Sequence, residues 1–179
     1  MKNKTITVFG SSMPKNGEPE YEEAYLLGKM LAKNGYNVCS GGSLGIMDAV
    51  SKGAVEEDKE AIGVTVALFN SPSSRHLTRE IKCDTLFQRL DNLISHGDGF
   101  IILPGGTGTL LEVSLIWELF NKEVLAEKPV ATLGSMWRRI LSPMEERVKY
   151  EKRKNDLIQF FDDSKSIVEY LNVKLNNRV

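Results

Sequence analysis

Phe100-Ile101-Ile102-Leu103-Pro104-Gly105-Gly106-Thr107-Gly108-Thr109-Leu110-Leu111-Glu112 reads as a buried strand, a glycine turn and a helix start. Phe100 to Leu103 is an unbroken apolar run of the kind that parallel sheets bury on both faces, and Pro104 stops it. Gly105, Gly106 and Gly108 tolerate positive φ and let a ligand come close to the backbone. The helix is expected from about Leu110, capped by Thr107 or Thr109. Its free N–H groups and the positive end of its dipole then face outward from the carboxyl end of the strand, where open α/β sheets bind phosphates. Glu112 admits two readings that weigh equally in local context. It is either a first-turn acid in a capping box with Thr109, three residues earlier, or a catalytic carboxylate.

The same alternation runs along the rest of the chain. Thr5 to Phe9 is a β-branched, apolar strand that gives way at Gly10 to Ser11, Ser12, Met13 and Pro14, a polar loop facing a ligand. Glu20 to Asn34 carries apolar residues at helical spacing and stops at Asn34-Gly35. Tyr36 to Ser40 is a second strand, after which Gly41-Gly42-Ser43-Leu44-Gly45 opens a helix through Ala54. Ala61 to Phe69 is a third strand, and the polar stretch Asn70 to Lys82 reads as a long loop beside the site. Thr85 to Ser95, which carries Arg89, is helical by the spacing of Leu86, Leu90, Leu93 and Ile94. Beyond the opening junction come a strand at Val130 to Leu133, a helix at Met136 to Tyr150, a short strand or turn at Leu157 to Phe161, and a helix at Ser164 to Leu171. Leu175 to Val179 reads as a frayed tail. Repeated strand-then-helix order predicts an α/β fold, a mainly parallel sheet flanked by helices on both faces, in a single domain over residues 1–179.

Composition narrows the function. Apolar residues make up 41 % and charged residues 26 % of the 179, the make-up of one ordinary globular domain. A net charge of −1 supplies no broad field for nucleic acid or an anionic membrane, so neither is expected as a partner and any anion must be held locally. No apolar run approaches the length needed to span a bilayer, which points to the cytoplasm. Cys39 and Cys83 are isolated and no His cluster accompanies them, so neither a disulfide framework nor a metal site is indicated. The Arg138-Arg139 pair and the Lys149 to Lys154 run are interrupted by Glu145, Glu146, Glu151 and Asp156, the pattern of a solvated helix face.

Two familiar glycine motifs fail on spacing. The first strand is followed by Gly10-Ser11-Ser12 rather than the Gly-x-Gly-x-x-Gly of dinucleotide binders, and no Gly-Lys-Ser/Thr closes either glycine turn as a Walker loop requires. What remains is a pair of phosphate-friendly helix starts with Ser11 and Ser12 beside them, enough to grip one mononucleotide.

Pro104-Gly105-Gly106-Thr107-Gly108-Thr109-Leu110-Leu111-Glu112 resembles the Pro-Gly-Gly-x-Gly-Thr-x-x-Glu signature of the Lonely guy (LOG) family. Gly10-Ser11-Ser12, Gly41-Gly42-Ser43-Leu44-Gly45-Ile46-Met47 and Arg89 fall in that family's order, so the resemblance covers roughly Ile6 to Val130. It implies a Rossmann-like fold, a homodimer, and a phosphoribohydrolase that splits a nucleoside 5′-monophosphate into free base and ribose 5-phosphate without a cofactor. In characterised members of the family the substrate is a cytokinin nucleotide, and an AMP-like nucleotide is the related expectation. The chain departs from the pattern at Leu90, where members commonly carry Lys, and at Leu111, where they commonly carry a second acid. Those two departures favour an alternative of another class, a non-catalytic nucleotide or cofactor carrier.

By the resemblance, Glu112 and Arg89 are the catalytic pair. A carboxylate beneath the ribose can hold the sugar hydroxyls, offset the charge of a ribosyl cation and orient or deprotonate water. A guanidinium stays protonated, so Arg89 is expected to bind phosphate or ribose oxygens and not to donate protons. Gly106, Thr107, Gly108 and Thr109, with Gly105 at the turn, are expected to hold the 5′-phosphate, helped by Ser12 or Ser43. Gly10, Ser11, Gly42 and Gly45 complete the expected binding set. His76 and Arg79, in the loop after the third strand, could cover the base or phosphate but read better as solvated loop residues; His96 reads as a helix-end cation and Asp98 as a turn cap. Trp117, Leu119 and Phe120 read as core or dimer contact.

Overall fold

The computed structural model describes residues 3–176. Among the described residues there are seven strands: β1 (Thr5–Phe9), β2 (Asn37–Ser40), β3 (Ala61–Val66), β4 (Arg79–Cys83), β5 (Gly99–Ile102), β6 (Val130–Leu133) and β7 (Ile158–Phe161). Six helices alternate with them: α1 (Pro19–Lys33), α2 (Ile46–Val55), α3 (Leu86–His96), α4 (Thr107–Asn121), α5 (Ser135–Tyr150) and α6 (Ser164–Asn176). The strands form one sheet in the order β4-β3-β2-β1-β5-β6-β7, every neighbouring pair parallel. This is a Rossmann-like α/β domain.

The apolar strands split their side chains between two cores, as the pleat demands. Ile101 of β5 and Leu103 just beyond it pack with residues of α1, α2 and α6 on one face. Phe100 and Ile102 pack with residues of α3, α4 and α5 on the other. Against the first face α1 and α2 pack at backbone distance. A Cβ on Gly28 would lie 2.4 Å from the Val50 carbonyl oxygen, and one on Gly53 would lie 2.2 Å from that of Tyr25. On the second face the fully buried Trp137 donates its indole N–H to the Leu103 carbonyl at 2.9 Å, tying α5 to the end of β5.

Several boundaries differ from the sequence expectation. The stretch 70–82 is not all loop, because Arg79 to Cys83 pairs with β3 as the edge strand β4. Its exposed Arg79, Glu80 and Lys82 give it a polar composition that hides the strand, and such charges blunt an open sheet edge. The third strand ends at Val66, and Ala67–Phe69 is a 3₁₀ turn closed by Asn70 in the left-handed region at φ 43°. Helix α4 starts at Thr107, three residues earlier than expected, with Gly106 at its N-cap and neither Thr107 nor Thr109 capping it. Helix α6 continues to Asn176 with Leu175 buried, because Leu171 and Leu175 lie one turn apart on its inner face; residues 177–179 of the expected frayed tail lie outside the described residues.

Candidate active site

The strand order reverses at β1, which has β2 on one side and β5 on the other. The loops leaving β1 and β5 therefore part at their carboxyl ends, and an open α/β sheet binds ligands in such a crevice. The two loops are stitched together, since the Ser11 N–H donates to the Pro104 carbonyl at 3.0 Å. Ser11 also accepts, through its own carbonyl, from the Ile46 N–H at the start of α2 at 2.9 Å. Three chain segments thus converge on one cleft of about 540 Å³, a volume suited to a small molecule of nucleotide size.

Of the residues expected at the site, Gly10, Ser11, Ser12, Ser43, Gly106, Thr107, Gly108, Thr109, Arg89 and Glu112 line this cleft. Gly42, Gly45 and Gly105 do not; they stand behind its wall and set its shape. Gly45 adopts φ +67°, and a Cβ there would lie 2.4 Å from the Ser11 carbonyl oxygen. Gly105 lets the turn fold onto α4, where a Cβ would lie 2.3 Å from the Thr109 hydroxyl. With no side-chain cap at Gly106, the first N–H groups of α4 have no partner within the helix and open toward the cleft. The Ser43 hydroxyl is engaged by Ser71 at 2.5 Å and by the Pro72 carbonyl at 3.2 Å, so it ties the 70–78 segment across one side of the cleft. Ser74 strengthens that tie through Asp48 at 2.6 Å and the Gly42 carbonyl at 2.8 Å.

At the inner end stand Arg89 and Glu112, the two charged side chains that line the cleft. Both are 8 % exposed. The capping box of Thr109 and Glu112 does not form, and the carboxylate turns instead toward the Arg89 Nη1 at 3.5 Å. The Arg89 Nε donates to the Val64 carbonyl at 2.9 Å, and its guanidinium lies 5.6 Å from the centre of the Phe69 ring. Burial pushes the Glu112 carboxyl up from 4.5 to about 7, against the pull of the neighbouring guanidinium. At neutral pH the acid is divided between its two forms, the condition in which one carboxyl can both accept and return a proton.

The other polar candidates lie elsewhere. Arg79 contacts His96 at 3.0 Å and Glu60 at 3.7 Å at the amino end of the sheet, and Asp98 accepts from the Thr5 N–H at 2.8 Å. His76 does not line the cleft. Trp117 and Phe120 are buried in the core of the second face. Among the described residues no group of three or more His, Cys, Asp or Glu is gathered as a metal would require. No described helix is long and apolar enough to cross a membrane. Gly41, Met47, Thr65 and Phe69, which are not among the expected binding residues, also line the cleft, as do Met13 of the loop after β1 and Ser71 and Pro72 of the loop expected beside the site. Gly41 stood inside the quoted glycine run, whereas Phe69 carried no signal separate from its apolar strand.

Fold and cleft together define a Rossmann-like α/β protein with a cleft at the switch point of its sheet, lined by the uncapped start of α4 and by a buried acid–arginine pair. Known proteins place it further. Residues 3–163 match the model of the SLOG cluster4 family, and the chain belongs to that family, in line with the resemblance to the Lonely guy (LOG) signature. It is 30 % identical over 150 residues to a cytokinin riboside 5′-monophosphate phosphoribohydrolase of Rhodococcoides fascians, covering 79 % of this chain and 74 % of that protein. It is 31 % identical over 138 residues to an Arabidopsis thaliana protein of the same description, covering 74 % of this chain but only 63 % of the plant protein's length. Among solved structures, the molybdenum cofactor carrier protein of Chlamydomonas reinhardtii superimposes with a TM-score of 0.76 at 23 % identity, covering 98 % of this chain and all of that one. At that identity the likeness is one of fold.

Proposed function

We infer that the protein is a phosphoribohydrolase acting on a nucleoside 5′-monophosphate, of cytokinin or AMP-like type, and releasing free base and ribose 5-phosphate. The observation that carries this reading is the buried Arg89–Glu112 pair in a cleft that the uncapped start of α4 also lines. The helix start and the hydroxyls of Ser12, Thr107 and Thr109 hold the 5′-phosphate, and that remote grip orients the ribose. The C1′–N bond breaks with its electron pair passing to the base. The ionised Glu112 offsets the positive charge left on the sugar and takes a proton from the water that adds to C1′. Arg89 holds phosphate or ribose oxygens through donors its protein partners leave open, and the leaving base takes up a proton. The same reading gives a nucleoside monophosphate as the small-molecule partner, a homodimer as the assembly and the cytoplasm as the compartment, supported by the LOG signature.

The test is incubation with a panel of nucleoside monophosphates and assay for free base and ribose 5-phosphate. Base release from at least one nucleotide is expected, with Glu112→Gln slower by about 100-fold or more. Absence of release from every nucleotide, or equal release by the variant, would overturn the reading. A second reading, a non-catalytic nucleotide or cofactor carrier, is favoured by Leu90 and Leu111 and by the full-length match to the molybdenum cofactor carrier fold. Calorimetric binding of a phosphorylated ligand without turnover is its expected signature.

A further inference from the structure

The Arg89 guanidinium is held on four sides, and three of the holders are evident: the Val64 carbonyl on Nε at 2.9 Å, Glu112 on Nη1 at 3.5 Å and the Phe69 ring against its face at 5.6 Å. The fourth is an absence. A Cβ built on Gly41 would lie 1.9 Å from Nη2 and 3.1 Å from Cζ of Arg89. We propose that Gly41 is a positioning residue of this site: the side chain it lacks is the berth in which the Arg89 guanidinium lies against the end of β2.

The backbone does not demand glycine here, because Gly41 lies outside the left-handed region that Gly42 and Gly45 occupy. Space is what demands it. The atoms in the way, the Arg89 guanidinium and the Met47 sulfur at 2.7 Å, are the ends of flexible side chains. Alanine at position 41 therefore leaves the strand in place and drives the guanidinium back by more than about 1 Å to reach ordinary contact. A planar group cannot retreat so far and keep its Nε hydrogen bond to a carbonyl fixed in β3. The effect on turnover rests on the proposed function, since a misplacement of about 1 Å in a positioning group costs on the order of 100-fold.

The experiment is ¹⁵N NMR of arginine side chains in the full chain, with the Arg89 Nε–H signal assigned by its absence in Arg89→Lys. In the wild-type protein this proton is expected to exchange slowly. In Gly41→Ala the signal shifts and exchanges at least tenfold faster, and kcat/KM for base release falls about 100-fold. In the Arg89→Lys background, where no Nη2 exists, adding Gly41→Ala changes kcat/KM by less than about twofold, the mark of a contact shared by the two residues. An unchanged Nε–H signal in Gly41→Ala overturns the proposal. So does an undiminished loss in the lysine background. Should Gly41→Ala fail to fold, the double variant must fold, and its failure to do so would also overturn the berth. If the wild-type protein releases no base while the signal still moves, the proposed function falls and the berth stands.

Discussion

Glu112 and Arg89 show how far a residue's chemistry depends on its surroundings. A glutamate in the first turn of a helix ordinarily complements the dipole at the surface; Glu112 lies in the second turn of α4, 8 % exposed beside a buried guanidinium, and its carboxyl sits at about 7. A pKa raised above the ordinary 4.5 means that the folded protein binds this proton more tightly than the unfolded chain does. The stabilisation is fully present below 4.5 and is lost as pH rises through about 7. At about 1.4 kcal/mol per pH unit, the loss at pH 8 is on the order of 3 kcal/mol. Glu112→Gln mimics the neutral acid, so its melting temperature is expected to exceed that of the wild-type protein at pH 8 and to converge with it below pH 5. Thermal melts across that range check this; a variant no more stable than wild type at pH 8 would show that burial does not penalise the charged form. The acid's candidacy was legible in the sequence, because glycine turn, helix start and glutamate fall in one run. Its depth was not, and Arg89 read by local pattern alone is a surface helix cation, since nothing within its own helix shows that Val64, Gly41 and Phe69 close around it.

At the scale of elements, the same residue type does opposite work in different places. Gly41 yields space to movable side-chain ends, but Gly28 faces the Val50 carbonyl oxygen of α2 at 2.4 Å, and a backbone has nowhere to go. Gly28→Ala is expected to push α1 away from α2 and to cost about 1–3 kcal/mol, read as a lower urea midpoint at unchanged slope. A melting temperature equal to wild type would mean that the helices separate freely. The strongly periodic elements α1, α3 and α5 and the apolar strands β1, β5 and β6 were legible because each carries its own hydrophobic pattern. Strand β4 was not, because an edge strand satisfies only one neighbour and its exposed charges read as loop. The start of α4 was misplaced because Thr107 and Thr109 have the composition of caps, while the cap position fell to Gly106.

The whole molecule depends on a sheet that joins two separate cores. Phe100, fully buried at the centre of β5, packs on Phe9 at 6.2 Å and on Phe120 at 6.4 Å between ring centres. Phe100→Ala is expected to cost about 3–5 kcal/mol and to loosen the strand whose end carries the glycine turn, so denaturant unfolding should shift to a lower midpoint. Full stability in that variant would show that the second face is not a close-packed core. Taken alone, the amino-acid sequence determined the class of fold, the glycine turn after β5 and the identity of the acid, because strand runs, helical spacing and turn residues are local properties that neighbouring positions express together. The tertiary structure decided which loops meet. The order β4-β3-β2-β1-β5-β6-β7 puts the ends of β1 and β5 side by side, brings α3 across to deliver Arg89, and buries Glu112 beside it. Those are contacts between residues 23 positions apart and more, set by how sheet and helices exclude water from two cores at once, and no local pattern encodes them.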